Sequence, residues 1–223
     1  MDNYQIIPSP GTQIKDWETM EQKIELIKPF AKNIHIDIIN GIFAPNNNLL
    51  DPTPFLKYKD DFLMEVHLMV DDPLKYLDSF AKAGFKKFIG QIEKMKNLDE
   101  FVAKAQNLGE VGLALDLDTP VDTIIDYIQD LDFIFLMSVK AGFSGQEFDP
   151  KVLDKIKKIR EVDDLIPIGI DGGINDQTLP LALDAGANRF VATSFIFKAE
   201  NSSENFHLLE GLCEKHQALE QKR

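Results

Sequence analysis

Two short apolar runs in the first third of the chain contain side chains that could bind a metal ion and transfer protons. The run 33–37 contains His35 and Asp37, and the run 65–69 contains His67. Because His35 and Asp37 are two residues apart, a β-strand would point both side chains to the same face. Far downstream, the run 168–173 contains Asp171, followed by two glycines.

Two imidazoles and two carboxylates at strand ends predict a site for one divalent metal ion. Zn, Fe, Mn and Co all suit such ligands, and the sequence does not choose among them. The same site would leave two acids for proton transfer. The alternative is that these four residues are unrelated buried polar groups with local hydrogen-bond partners.

Turns rich in glycine and hydroxyl side chains lie in the second half of the chain. Glycines let backbone N–H groups approach a phosphate closely beside a helix N-terminus, although ordinary turns also contain them. These turns predict a phosphate-binding site formed by Gly142, Phe143, Ser144, Gly145, Gly172, Gly173, Thr193 and Ser194.

Apolar, strand-like runs alternate with amphipathic helical patterns along the chain. The predicted strands lie near residues 4–9, 34–39, 63–69, 86–92, 111–117, 132–139, 166–171 and 189–193, and the predicted helices near 15–31, 73–83, 97–108, 120–129, 150–161, 176–185 and 202–219. Strands separated by helices are parallel. Eight of them predict an α/β fold, a single (β/α)8 TIM barrel whose active site lies at the carboxyl ends of the strands. A doubly wound sheet would usually place its glycine-rich turn after the first strand instead.

Composition narrows the class of protein further. The 223 residues are 44% hydrophobic, which fits one barrel domain over residues 1–223. A formal net charge of -13 argues against nucleic acid or an anionic membrane as partner. One cysteine, Cys213, excludes a disulfide within the chain, and no signal peptide or membrane-spanning run is evident. The sequence therefore predicts a cytoplasmic protein.

Taken together, these runs resemble the ribulose-phosphate 3-epimerase family, in order and over nearly the whole chain. The motifs that carry the resemblance are Ile7-Pro8-Ser9, His35-Ile36-Asp37 with Gly41, Phe43, Pro45 and Asn46, Val66-His67-Leu68-Met69, Met137-Ser138-Val139 with 142–146, Asp171-Gly172-Gly173-Ile174 and Ala185-Gly186-Ala187. The resemblance implies a (β/α)8 barrel and a small-molecule sugar phosphate as substrate. Homo-oligomers are common in the family, so the resemblance allows this protein to form a homo-oligomer.

The resemblance also implies a role for each matched residue. The metal would be held by His35, Asp37, His67 and Asp171, and Ser9 and His67 would contact the sugar. The backbone of the glycine-rich turns and of Thr193-Ser194 would hold the phosphate. Asp37 and Asp171 would be the acid–base pair on opposite faces of the substrate. The expected reaction inverts C3 of D-ribulose 5-phosphate to give D-xylulose 5-phosphate, through a cis-enediolate stabilised by the metal ion.

The chain departs from the family at several positions in its pocket and phosphate loops: Ile39, Asn40, Gln91, Lys140, Ser144 and Thr193. These departures leave open a 3-epimerase of a six-carbon ketose phosphate, such as allulose 6-phosphate. A Schiff-base aldolase using Lys140 is a second alternative, although a solvated lysine at the rim is the simpler interpretation. The third alternative is a non-catalytic barrel that binds a sugar phosphate.

Overall fold

Eight short strands form one parallel sheet in the computed structural model, which describes residues 4–222. In chain order they are β1 (Gln5–Pro8), β2 (Asn33–Ile39), β3 (Leu63–Met69), β4 (Lys87–Gln91), β5 (Glu110–Leu115), β6 (Phe133–Met137), β7 (Ile168–Asp171) and β8 (Arg189–Ala192). Each strand pairs with its sequence neighbour from β2 to β8, and β8 pairs with β1. The strands β1 and β2 then lie side by side, so the sheet curls into a nearly closed barrel.

Helices follow most of the strands and cover the outside of the barrel. They are α1 (Trp17–Ile27), α2 (Leu74–Lys82), α3 (Leu98–Gln106), α4 (Lys151–Val162), α5 (Thr178–Ala185), α6 (Ser194–Phe197) and α7 (Ser202–Glu220). Side-chain caps begin several of them: Asp16 accepts a hydrogen bond from the Thr19 N–H at 2.8 Å, and Asn97 accepts one from the Glu100 N–H at 3.2 Å. Along residues 4–222, no helix is both long and apolar enough to cross a membrane.

The predicted (β/α)8 barrel is confirmed, and all eight predicted strands are present with ends shifted by two residues or fewer. The predicted helix at 120–129 is wrong, because two short 3-10 helices, Val121–Thr123 and Ile125–Asp130, occupy this stretch. The run 121–125 is mostly β-branched, which disfavours an α-helix, and Ile124 interrupts the stretch with non-helical dihedral angles. The short helix α6 was not predicted.

Apolar side chains pack in two layers on the two faces of the sheet. The larger layer lies between the strands and the helices, and it includes Ile34, Ile36 and Ile38 from alternate positions of β2. The smaller layer fills the barrel itself, with residues such as Ile7 and Phe135. Alternation along each strand therefore sends one set of side chains to the helices and the other set to the barrel axis.

Polar groups on the inward face of β2 and β3 interrupt this inner layer. The strand register sets His35 beside Glu65 and Asp37 beside His67 on adjacent strands. On β7, Asp171 pairs with Met137 of β6 and Val191 of β8. Buried polar groups are costly unless they have partners, so the partners of these side chains define the site.

Candidate active site

Four predicted residues meet at the carboxyl end of the barrel. One potential ligand atom from each of His35, Asp37, His67 and Asp171 lies within 4.8 Å of all the others. The strand period brings His35 Nε2 to 3.2 Å from Asp37 Oδ1, and the register brings His67 Nδ1 to 3.3 Å from the same oxygen. Local strand geometry and the pairing of β2 with β3 therefore position three of the four residues, and β7 supplies Asp171.

Outer partners fix the orientation of both imidazoles. Glu65 Oε1 lies 2.7 Å from His35 Nδ1, and Gln91 Oε1 lies 2.6 Å from His67 Nε2. Because each ring donates to a partner outside the cluster, the second nitrogen of each ring faces inward. This arrangement is typical of imidazoles that bind metal ions.

The donor atoms of the cluster fit a divalent cation. His67 Nδ1 is buried and makes no hydrogen bond to any described group, although it lies near Asp37. A buried nitrogen without a partner is costly, and a metal ion would satisfy its lone pair. Two nitrogens and two carboxylate oxygens form a ligand set that Zn, Mn, Fe and Co accept.

The environments of the two acids shift their pKa values in opposite directions. Burial alone would raise the pKa of Asp37, but His35 and His67 outweigh it and hold this pKa well below its usual range. Burial, reinforced by the negative charge of Asp37, raises the pKa of Asp171 to about 7. Asp37 therefore favours the ionised form, while Asp171 retains a proton more readily than an ordinary aspartate.

A buried charge network supports this site from below, and the sequence did not single it out. Glu65 lies between His35 and Arg189, with which it forms an ion pair. Burial would raise the pKa of Glu65, but the Arg189 charge and the hydrogen bond to His35 lower it to about 2. Burial would likewise lower the pKa of His35, but Asp37 and Glu65 raise it to about 10. Glu65 and Arg189 are charged residues in otherwise apolar strands, which is the signal that could have revealed them.

A cavity opens above the acids and continues to the glycine-rich loops. Its lining includes both acids and every residue predicted to hold a phosphate: Asp37, Asp171, Gly142, Phe143, Ser144, Gly145, Gly172, Gly173, Thr193 and Ser194. The rest of the lining consists of Thr12, Gln146 and apolar side chains such as Met69, Met137 and Val191. The structure therefore brings the predicted acid pair and the predicted phosphate loops into one cavity.

Three predicted residues lie behind the cavity wall. His35, His67 and Ser9 are fully buried and do not line the cavity, although each of them approaches Asp37. The Ser9 hydroxyl donates to Asp37 Oδ2 at 3.1 Å and accepts the Gly11 N–H at 3.3 Å. In this arrangement, Ser9 holds the acid that faces the cavity.

The structure also places two further side chains: Thr12, which the sequence did not indicate, and Lys140, which it offered as a candidate. Thr12 lines the cavity and hydrogen-bonds to Ser144, although only its position after the first strand could have indicated this. Lys140, the candidate Schiff-base lysine, is exposed and is not part of the cavity wall. A Schiff-base lysine needs burial to lower its pKa, so this exposed position favours the solvated-lysine interpretation.

The fold and this site together define a class of (β/α)8-barrel enzyme. In this class, a pair of acids and glycine-rich loops suited to binding phosphate share one cavity. Comparison with known proteins is consistent with this class. Residues 10–197 match the model of the ribulose-phosphate 3 epimerase family. The ribulose-phosphate 3-epimerase of Bacillus subtilis (strain 168) is 35% identical over 195 residues, which covers 84% of this chain and 85% of that protein. The corresponding protein of Schizosaccharomyces pombe is 30% identical over 205 residues, with 88% and 89% covered.

The chain belongs to the ribulose-phosphate 3-epimerase family, and it is an isomerase of the carbohydrate epimerase type. Among solved structures, KGPDC from Streptococcus mutans superimposes with a TM-score of 0.71 over 95% of this chain and 98% of that chain. At 13% identity, this likeness shows the barrel fold alone. The predicted family and enzyme class are confirmed.

Proposed function

We propose that this protein inverts C3 of a ketose phosphate, converting D-ribulose 5-phosphate to D-xylulose 5-phosphate with the help of one divalent metal ion. The observation that carries this proposal is the pairing of Asp37 and Asp171 in one cavity beside the unpartnered His67 Nδ1. A second observation is family membership, which supports epimerase activity on a pentose phosphate.

Asp37 and Asp171 are suited to opposite halves of a proton transfer. Inversion requires that a proton leave one face of the carbon and that another proton arrive at the opposite face. The depressed pKa of Asp37 keeps it ionised and able to accept a proton, while the raised pKa of Asp171 lets it hold and deliver one. The reverse reaction exchanges these roles. Ser9 keeps the Asp37 carboxylate oriented through its hydrogen bond to Oδ2.

Four side chains of the cluster, His35, Asp37, His67 and Asp171, would hold the metal ion. When bound, a divalent cation would supply Lewis-acid stabilisation of the negative charge that develops on the substrate oxygens. Glu65 and Gln91 hold the two imidazoles in the orientation that this ligand set needs.

Backbone groups of the loops would bind the phosphate at the far end of the cavity. The loop 142–145 and the pair Gly172-Gly173 present the backbone there, together with Thr193 and Ser194. Binding energy from this remote group would orient the reacting carbon between the two acids. The substrate is therefore a small sugar phosphate held at both ends.

The test of the proposal is proton exchange during turnover. Protein loaded with Zn or Mn is incubated with D-ribulose 5-phosphate in D2O, and the sugar is followed by NMR. We expect D-xylulose 5-phosphate to appear with deuterium at C3. Exchange at C3 without the epimer would contradict the two-acid scheme, and the absence of both signals would contradict the proposed reaction.

A further inference from the structure

One short segment of chain connects the two ends of the cavity. At its start, the Ser9 hydroxyl donates to Asp37, one of the two acids. At its end, Thr12 contacts Ser144 in the loop 142–145. We call residues 9–12 the bridging segment. It is buried throughout, and Thr12 is 5% exposed.

Thr12 and Ser144 exchange hydrogen bonds through both backbone and side chain. The Thr12 N–H donates to Ser144 Oγ at 2.9 Å, and the Ser144 N–H donates to Thr12 Oγ1 at 2.9 Å. The two hydroxyl oxygens lie 3.0 Å apart. Asn46 adds a second bridge, because its Nδ2 donates to the Thr12 carbonyl at 3.1 Å and to the Gly142 carbonyl at 3.0 Å. The loop 142–145 is thus fastened to the bridging segment at two points.

Two consequences follow for the phosphate end of the cavity. The Ser144 N–H is already occupied by Thr12 Oγ1, so the predicted phosphate contact through this amide would require the pair to open. In addition, three residue steps separate Ser9 from Thr12, and such a stretch spans at most about 11 Å. An outward movement of the loop 142–145 from Asp37 would therefore have to break the Thr12–Ser144 and Asn46 hydrogen bonds or displace the buried bridging segment.

We infer that Thr12, acting through Ser144, is a specificity-determining residue that fixes the distance between the acid pair and the phosphate loops and so sets the length of the ketose phosphate at five carbons. This inference rests on the proposed function. A six-carbon ketose phosphate has one more carbon between the reacting C3 and the phosphate. It would need the fastened loop to move outward or the sugar to bend, and either change weakens binding.

The test compares Thr12→Val with the wild type on two substrates, D-ribulose 5-phosphate and D-allulose 6-phosphate. Valine keeps the shape of threonine but removes the hydroxyl that accepts the Ser144 N–H. We expect KM for the five-carbon substrate to rise about tenfold while kcat stays nearly unchanged, since one to two hydrogen bonds are lost. We expect the preference for five carbons over six, measured as the ratio of kcat/KM values, to fall by a similar factor.

Thr12→Ser is the matched control, because it retains the hydroxyl and should retain both KM and the preference. Ser144→Ala removes the acceptor of the Thr12 N–H and should act in the same direction as Thr12→Val, which covers the case in which valine prevents folding. A folded Thr12→Val protein with an unchanged preference would overturn this inference and leave the proposed function intact. A wild type that turns over neither substrate would overturn both.

Discussion

The two ends of the cavity are built in different ways. At the acid end, His35, Asp37 and His67 are buried side chains on strands, and each is held by another buried side chain. At the phosphate end, the wall is mainly loop residues, most of which are half-buried or exposed, as for Phe143, which is 40% exposed. We therefore expect side-chain identity to determine the chemistry at one end and backbone conformation to determine binding at the other.

Substitutions at the two ends should therefore have different effects on the enzyme. The acid end is part of the barrel interior, so changes there should alter turnover and, where the charge network is broken, stability. The phosphate end lies on loops over a rigid scaffold, so changes there should alter substrate affinity first. Five predictions test this comparison, in order of decreasing effect.

The largest effect is expected from Asp171→Asn or Asp37→Asn. Either change removes one of the two proposed proton carriers while keeping the shape of the side chain, so kcat should fall about a thousandfold. Asp118→Asn is the matched control, since Asp118 is exposed beyond the end of β5 and should have no effect. Near-normal turnover of the Asp171→Asn protein, measured with its thermal unfolding, would disprove the two-acid scheme.

The charge network below the acids should contribute strongly to stability. Glu65→Gln leaves Arg189 buried without its carboxylate partner, which should lower the free energy of unfolding by about 3–5 kcal/mol. Denaturant titration measures this change. Asp78→Asn, which removes the partner of Lys104 in an exposed ion pair, should lower it by less than about 1 kcal/mol. Equal losses of unfolding free energy in the two variants would contradict the view that the charge network contributes more to stability than an exposed ion pair does.

The pH dependence of this network has a definite sign. The pKa of Glu65 is lowered to about 2 from an ordinary value of 4.5, so its contribution to stability is present above pH 4.5. That contribution should disappear as pH falls through 2. The difference between wild type and Glu65→Gln should therefore shrink over this range.

Metal binding should stabilise the wild type through the acid end. Zn or Mn at a hundred times its Kd should raise the free energy of unfolding by about 2.7 kcal/mol, visible as a higher Tm. His67→Ala should lose this shift, while His207→Ala, at an exposed position far along the chain in α7, should keep it. Since the metal must displace a proton from His35, whose pKa is raised to about 10, affinity should increase with pH below that value.

The smallest effect is expected from alanine substitutions in the phosphate loops. Gly173 has φ +62°, and a Cβ there would lie 2.6 Å from the Phe148 backbone nitrogen. Gly173→Ala should therefore displace the loop and weaken binding of inorganic phosphate about tenfold, measured by calorimetry. Gly145 serves as the comparison, since it has φ +87° and a Cβ there would meet no atom within 4 Å. Gly145→Ala should weaken phosphate binding by a smaller factor, because it adds backbone strain without a clash.

The sequence predicted the acid end well because its information is local. Strand periodicity alone set His35 and Asp37 on one face, and the structure confirms their contact at 3.2 Å. It predicted the eight strands because apolar runs between amphipathic helices are a strong pattern. The prediction of an α-helix at 120–129 was wrong, because β-branched residues disfavour an α-helix and two 3-10 helices form there instead.

Residue types and their spacing determined the barrel, the family and the four potential metal ligands. Tertiary structure alone decided which distant groups support them: Glu65 meets Arg189 across 124 positions of the chain, and Thr12 meets Ser144 across 132. The physical reason is that such pairs depend on how the barrel closes rather than on any local pattern. Closure also brings Asp171 into the field of Asp37, and this field, together with burial, separates their pKa values.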